Sequence, residues 1–438
     1  MRSERKRVDL RKSPKERKGI KDETCKDEGC FHENTGDMPA LLENFRVTEI
    51  SEELVRRGHQ VTALVGLPNY PTGNIPEEYR HHQNRRQVRN GVEIRRCFEI
   101  GRKPGKVGLA LNYVSYMLSA CHQALWMKKD FDVIYAFSTS PVLMSLPGAF
   151  LRTFWPKKKL LIYIMDIWPA CLAAMNIPET ALLYRFMKRV SRRIYDRADR
   201  LTYSSKRFQQ YLKETHGIIV GDDDYLPQFA DGVFEQKLPE KQPNEWTSLV
   251  FAGNIGKMQS VDTLIRAAAL LKGEKVRWHI IGDGACEEEC RRLADELQLG
   301  QQVRFYGRRA LEEMPGFYTM ADGLLVSMKN DPLVSDTLPG KVQTYMAAGK
   351  PVLGSIGGEA AYVIGQAKCG LCAPPENPEA LAEMVRAFLA CGEEERRAMG
   401  ERGRIYYEAN FTKQRHMDHL EALLKELAGE EPSCGYFS

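Results

Sequence analysis

Apolar residues in this chain fall into two alternating patterns. Unbroken runs such as Asp132-Val-Ile-Tyr-Ala-Phe137, Leu160-Leu-Ile-Tyr-Ile164 and Ser248-Leu-Val-Phe-Ala252 show no alternation of apolar with polar positions. Such runs suit strands buried on both faces. Between them, apolar residues recur at helical spacing: Val47, Ile50, Leu54 and Val55; Val261, Leu264, Ile265 and Ala268; Leu338, Val342, Tyr345 and Met346. Strand followed by helix, many times over, predicts parallel sheets with helices on both sides. Further strands are expected at Val61 to Val65, Val92 to Arg96, Arg200 to Ser205, Asp224 to Pro227, Val276 to Ile281, Val303 to Tyr306, Gly323 to Val326, Pro351 to Leu353 and Gly370 to Ala373. A long helix begins near Gly108, and helices over Pro378 to Ala390 and Thr412 to Leu427 end the series.

Breaks in these patterns divide the chain. Residues 1–42 are dominated by charge and read as a disordered leader. Residues 43–230 form one α/β domain, residues 231–247 a polar, proline-bearing linker, and residues 248–411 a second α/β domain. Residues 412–438 give a last helix and a polar tail. Composition narrows the function. Apolar residues make up 43% of the 438, enough for two large cores, and a net charge of +5 is too mild to argue for a nucleic-acid partner. The eleven cysteines show no paired metal-ligand spacing and read as reduced thiols. The first thirty residues lack the apolar core of a secretory signal. Val107 to Met127 is long and apolar but contains Asn112, Ser115, Ser119, His122 and Gln123, so it reads as a buried or membrane-facing helix rather than a spanning one.

In sheets of this kind ligands bind beyond the carboxyl ends of the strands. Four loops at such ends stand out, all in the second domain: Gly253 to Lys257, Gly282 to Gly284, Ser327 to Lys341, and Gly354 to Glu359. Gly253 and Gly256 would let backbone approach a diphosphate, with Asn254 and Lys257 beside it, although a tight βα turn reads the same way. Pro339 and Gly340 can open a helix capped by Asp336 or Thr337, so that free amides, a favourable dipole and Lys341 gather in one place. An ordinary αβ unit with a solvated lysine would carry the same pattern. Ser260 is expected to cap the following helix. In the first domain, Asp166-Ile-Trp-Pro169 ends a strand; its carboxylate either orients a hydroxyl or caps a helix. Asp222-Asp223-Asp224 reads as a charged turn rather than a metal site.

Taken together, Glu43-Asn-Phe-Arg46, Arg57-Gly-His59, Gly66-Leu-Pro-Asn-Tyr-Pro-Thr-Gly73, Asp166-Ile-Trp-Pro169, Phe251-Ala-Gly-Asn-Ile-Gly256 and Leu338-Pro-Gly-Lys-Val-Gln-Thr-Tyr-Met-Ala-Ala-Gly-Lys-Pro351 resemble a GT-B glycosyltransferase of family 4, in the WbuB/WcaI-type branch of L-fucosaminyl and colanic-acid transferases. The resemblance implies two doubly wound Rossmann-like domains facing across a cleft. It implies a retaining, metal-independent transfer from a nucleotide-sugar donor to a lipid-linked glycan acceptor, with no cofactor, in cell-surface polysaccharide synthesis. It places the protein in the cytoplasm, peripheral at an anionic inner-membrane surface that Val107 to Trp126, Phe150 to Trp155 and Lys157 to Lys159 could dock on; burial of that stretch against a neighbouring domain is the alternative. A sugar-nucleotide binder without activity and a UDP-sugar epimerase are the competing functions.

Carried over by position, Gly253, Asn254, Lys257, Gly282, Pro339, Gly340, Lys341 and Thr344 would hold the donor. Asp166 and Asp336 would be catalytic, and Asn69, Tyr70 and Trp168 would lie on the acceptor side. Asp336 and Thr344 stand where many family members have two glutamates, and Met165-Asp166 stands where a histidine is usual. The family also begins with a strand ahead of Glu43. Here Met38-Pro-Ala-Leu-Leu42 occupies that place, which implies a first sheet lacking a central member, through a frameshift or a misassigned start, with a genuine variant as the alternative. An expressed chain of low solubility or activity is the expectation.

Overall fold

A computed structural model describes residues 45–69, 73–103, 105–175, 177–242, 244–331 and 335–430. The leader 1–42, with Met38 to Leu42, the acceptor-side candidate Tyr70 and residues 431–438 of the tail lie outside the described residues.

The first lobe runs α1 (Phe45–Arg56), β1 (Thr62–Val65), β2 (Arg86–Arg89), β3 (Val92–Arg96), α2 (Gly105–Trp126), β4 (Val133–Ser138), α3 (Leu146–Phe154), β5 (Lys159–Ile164), α4 (Leu182–Tyr195), β6 (Arg200–Tyr203) and α5 (Arg207–Tyr211). Its described strands form two sheets, β1-β3-β2 and β4-β5-β6. In the second sheet Val133 to Ser138 pairs in parallel with Lys159 to Ile164. Apolar β5 is buried almost throughout, but equally apolar β4 is an edge strand and only half-buried along most of its length. Among the described residues no strand pairs with β4 on its far side.

Two details differ from expectation. β2 was not expected; it returns antiparallel onto β3 across Asn90 and Gly91, both at positive φ, a turn chemistry that fits a two-residue hairpin. Asp224 to Pro227 is not a strand. It meets β6 by one bridge, Tyr203 to Tyr225, because Asp222 to Asp224 first coil into a single 3-10 turn.

After α6 (Gly232–Glu235) the second lobe runs β7 (Thr247–Ala252), α7 (Val261–Leu270), β8 (Val276–Ile281), α8 (Glu287–Glu296), β9 (Val303–Gly307), α9 (Met314–Met320), β10 (Gly323–Ser327), α10 (Gly340–Ala347), β11 (Val352–Ser355), α11 (Gly358–Ala367), β12 (Gly370–Ala373), α12 (Pro378–Ala390) and α13 (Glu393–Asn410). Its six strands make one parallel sheet in the order β12-β11-β10-β7-β8-β9, with a core on each face. The order reverses between β7 and β10, and a crevice for ligands opens at such a reversal.

The chain then returns. α14 (Lys413–Ala428) lays Met417, Leu420 and Leu423 against Ile50 and Leu54 of α1 and against β5 of the first lobe. Glu421 fastens it there, accepting from Arg57 Nη1 at 2.8 Å and pairing with His59 Nε2 at 2.9 Å. Burial pushes the Glu421 carboxyl up, but hydrogen bonds from Lys425, Arg57 and His59 outweigh it and hold the group at about 2.

Candidate active site

Two loops frame the reversal point. The first leaves β7 as Gly253-Asn-Ile-Gly256 and makes one turn at Lys257–Gln259 before α7. The second leaves β10 and ends at α10. They are stitched together: Ser327 Oγ donates to Ser260 O at 3.0 Å, and Lys329 N donates to Met258 O at 2.9 Å. The loop after β8 closes the floor. Gly253 and Gly282 both have φ near +130°, and a Cβ on Gly282 would land 2.0 Å from Gly253 O. Only glycine allows the two strand ends to touch in this way.

α10 behaves on its buried face as its spacing predicts. Leu338 before it and Val342, Tyr345 and Met346 within it are buried, and Tyr345 Oη donates to Leu325 O of β10 at 3.2 Å. Its start differs from expectation. Pro339 takes the capping position, and neither Asp336 nor Thr337 caps with a side chain. The first-turn amides of Gly340 and Lys341 are groups that no carbonyl within the helix can satisfy. Ser260 likewise stands at the cap position of α7 without capping it: it sits at φ 43°, and its hydroxyl goes to Thr263 Oγ1 at 3.0 Å instead. Thr344 is half-buried one turn into α10.

Lys341 is the unusual group. Its Nζ is buried, has no hydrogen-bond partner, and lies 3.9 Å from the centre of the Phe251 ring. The ammonium backs directly onto Gly253, where a Cβ would meet it at 2.7 Å. Burial pulls its pKa down to about 7. A buried ion costs several kcal/mol, and contact with an aromatic face returns about 2 kcal/mol or more of that when desolvated. Burial therefore favours the neutral amine, and an anion brought to this point would favour the ammonium. Lys257 and Asn254, on the same glycine loop, are exposed.

Around this point the lobes meet. Arg207 of α5 stands between two carboxylates of the second lobe, with Nη1 3.7 Å from Asp336 and Nε 3.9 Å from Glu359. Ser205 Oγ donates to Asp336 O. Glu359 is 2% exposed, and its Oε1 has no hydrogen-bond partner. Burial raises both carboxyls above their ordinary values, and Arg207 opposes the rise. The sequence reading missed Arg207 and Glu359. Glu359 was within reach, since it closes one of the four loops singled out; Arg207 gave no local signal.

The first-lobe candidates point inward. Asp166 Oδ2 accepts from Ser140 N at 2.8 Å, and Trp168 Nε1 donates to Ser140 Oγ at 3.0 Å, so the pair fixes the loop after β4. Asp166 does not cap a regular helix; it ties two strand ends together. Buried Asn69 donates to Leu67 O at 2.9 Å. Near it lies Glu99, also missed, which accepts from Leu67 N at 3.1 Å and Asn112 Nδ2 at 2.6 Å. Burial raises the Glu99 carboxyl to about 7 against those hydrogen bonds. Among the described residues no group of three or more His, Cys, Asp or Glu side chains gathers as a metal site would, and no helix is long and apolar enough to cross a membrane.

Comparison with known proteins agrees with this geometry. Residues 44–222 match the glycosyl transferase 4-like domain, and residues 234–406 match glycosyl transferases group 1. The chain is 26% identical over 313 residues to "Probable glycosyltransferase WbjE" of Pseudomonas aeruginosa, covering 68% of this chain and 76% of the relative. It is 21% identical over 363 residues to "Putative colanic acid biosynthesis glycosyl transferase WcaI" of Escherichia coli (strain K12), covering 78% of this chain and 87% of the relative. The fold is shared with Anabaena Alr3699/HepE, solved in complex with UDP-glucose, at a TM-score of 0.61 and 16% identity over 87% of this chain and 94% of that one. The two matches cover the two lobes in turn, and the chain belongs to the family 4 glycosyltransferases of the GT-B fold.

Proposed function

We propose that this glycosyltransferase moves a sugar from a UDP-sugar to a lipid-linked or glycan acceptor, with retention at the anomeric carbon and without a metal, in the synthesis of a cell-surface polysaccharide. The observation that carries the reading is the unpaired, buried ammonium of Lys341 beneath Gly253 at the opening of α10. A diphosphate resting on Gly253, Asn254 and Lys257 would meet that ammonium and the amides of Gly340 and Lys341 at once. Gly282 would keep the floor low enough for it. These groups are fixed before the reaction, so negative charge growing on the departing UDP is stabilised without reorganisation. That is the work a divalent cation performs in other transferases.

In the step itself, an acceptor hydroxyl oxygen bonds to the anomeric carbon while the bond to the diphosphate breaks. Its proton passes to the leaving phosphate oxygen on the same face. Asp336, and Thr344 one turn into α10, would take hydroxyls of the donor. Asp166, Asn69 and Trp168 would shape the acceptor side, with the glycan carried on a lipid at the cytoplasmic face of the membrane. The relative named for colanic acid biosynthesis and the UDP-glucose complex of the structural neighbour support this choice of product and donor.

Lys341→Met tests it. Loss of one fixed donor to a leaving oxyanion costs about 10²–10³ in kcat. The variant should lose that much turnover and most UDP affinity, while its Tm rises because a buried unpaired charge is gone. Equal turnover by the variant, or no UDP binding by the unaltered protein, overturns the reading.

A further inference from the structure

The seam between the lobes holds an ion set with one cation too few. Asp336 and Glu359 both belong to the second lobe, and Arg207 reaches them from the first at 3.7 Å and 3.9 Å. These are ion-pair distances, longer than a hydrogen bond to either carboxylate. Among the described residues no other Lys, Arg or His nitrogen comes within 4.0 Å of either one. The neighbouring Lys206 lies over an aromatic face instead, with Nζ 5.4 Å from the centre of the Tyr225 ring. One guanidinium is therefore shared between two acids.

The two acids are not equivalent. Asp336 is half-buried, whereas Glu359 is buried and its Oε1 has no hydrogen-bond partner. A buried oxygen without a donor costs free energy that one more N–H would return. A guanidinium carries parallel N–H groups in a fixed fork and can engage both oxygens of one carboxylate. Arg207 is exposed and so free to swing. Its two targets are not. Ser205 Oγ donates to Asp336 O, and Gly358 of α11, at φ 63°, presses on the same turn: a Cβ there would meet Ser335 O at 1.9 Å. The moving part is the arginine side chain, between two fixed acceptors.

We propose that Arg207 is a positioning residue that reads the donor's sugar: sugar hydroxyls that take Asp336 release the guanidinium to Glu359, where it pairs with both oxygens and fastens the first lobe to α11. The inference rests on the assignment of Asp336 to donor hydroxyls made above. UDP alone lacks the transferred sugar and leaves the arginine shared. The lobes are then tied together over a loaded donor and loosened over the spent nucleotide, which favours release of the product.

Calorimetry with UDP, UDP-glucose, UDP-galactose and UDP-N-acetylglucosamine tests this. The sugar nucleotide whose affinity differs most from that of UDP is carried into the variants. Its apparent affinity scales with the fraction of molecules in which Asp336 is free, about half when the arginine is shared evenly. Glu359→Gln removes the charge that draws Arg207 away, so the sugar nucleotide should bind about tenfold more weakly while UDP binds as before. Arg207→Gln should bind it about twofold more tightly. Arg207→Gln added to Glu359→Gln should restore at least the unaltered affinity, because nothing then competes for Asp336. Two residues that merely support the fold would instead give losses that add. A double variant as weak as Glu359→Gln, or weaker, overturns the proposal. So does an equal loss of UDP affinity in Glu359→Gln, which makes the carboxylate a prop for the turn. So does an unaltered chain that binds all three sugar nucleotides as it binds UDP, which leaves Asp336 without a sugar while the phosphate site stands. No binding of UDP at all removes the transferase reading and this proposal with it.

Discussion

The two lobes are built from the same strand–helix grammar, yet their sheets differ. The second lobe gathers six strands into one parallel sheet, and both neighbours of its central β7 are present. In the first lobe the described strands stay in two groups of three, and β4, with the sequence Val-Ile-Tyr-Ala-Phe-Ser, lies at an edge. Continuous pairing holds the tips of β7, β8 and β10 in one plane, which lets Gly253, Gly282 and Lys341 touch. An apolar edge strand carries unpaired backbone groups and is open to wrong partners. The proposed donor side therefore lies in the lobe whose described strands form one continuous sheet.

The comparison can be broken most directly at its strongest point. Gly282→Ala places a Cβ 2.0 Å from Gly253 O at φ 132°. The second lobe should lose about 3 kcal/mol, read from urea unfolding. A loss under about 1 kcal/mol would mean that the floor of the site is not rigid. Hydrogen exchange comes next. Amides of β4 should exchange at least about tenfold faster than those of β7. Equal protection would show that β4 is paired in solution by a segment outside the described residues.

A smaller effect sharpens the donor side through pH. Lys341 titrates near 7 in the free protein, far below the ordinary lysine value. A bound diphosphate favours the charged form, so UDP affinity should fall as pH rises above about 7, by up to about tenfold per unit. Stability of the free protein should move the other way. The unfolded chain binds the extra proton between about 7 and 10.4, so stability rises with pH over that window, and the cost of the buried charge is fully present below it. Calorimetry with UDP and thermal melts check both signs, and Lys341→Met should remove both dependences.

The smallest effect concerns the seam. Glu421→Gln should cost about 1 kcal/mol at neutral pH. Its carboxyl is held near 2, so the contribution is present above about pH 4.3 and is lost as pH falls through 2. Urea titrations at neutral and strongly acid pH measure the difference.

Local pattern carried most of the fold. Leu338, Val342, Tyr345 and Met346 announce the buried face of α10 by spacing alone, and the unbroken apolar runs announce the parallel sheets. The hairpin at Asn90-Gly91 was equally written in the chain, but its strands are short and bear charge, so the turn was the sole signal. The site is less legible because it depends on distance. Whether Lys341 is solvated or buried is decided by Phe251, far away in sequence, and the meeting of Arg207 with Asp336 and Glu359 exists only once two lobes have docked. Glu99 looks like any surface acid until Leu67 and Asn112 close over it.

The placement of α14 has a consequence for synthesis of the chain. Its apolar face is the cover over α1 and β5, elements made hundreds of residues earlier. A ribosome would have finished every strand of the second lobe before that cover emerged. The N-terminal half must wait as an open half-shell, exposed to chaperones and proteases, until α14 has been made.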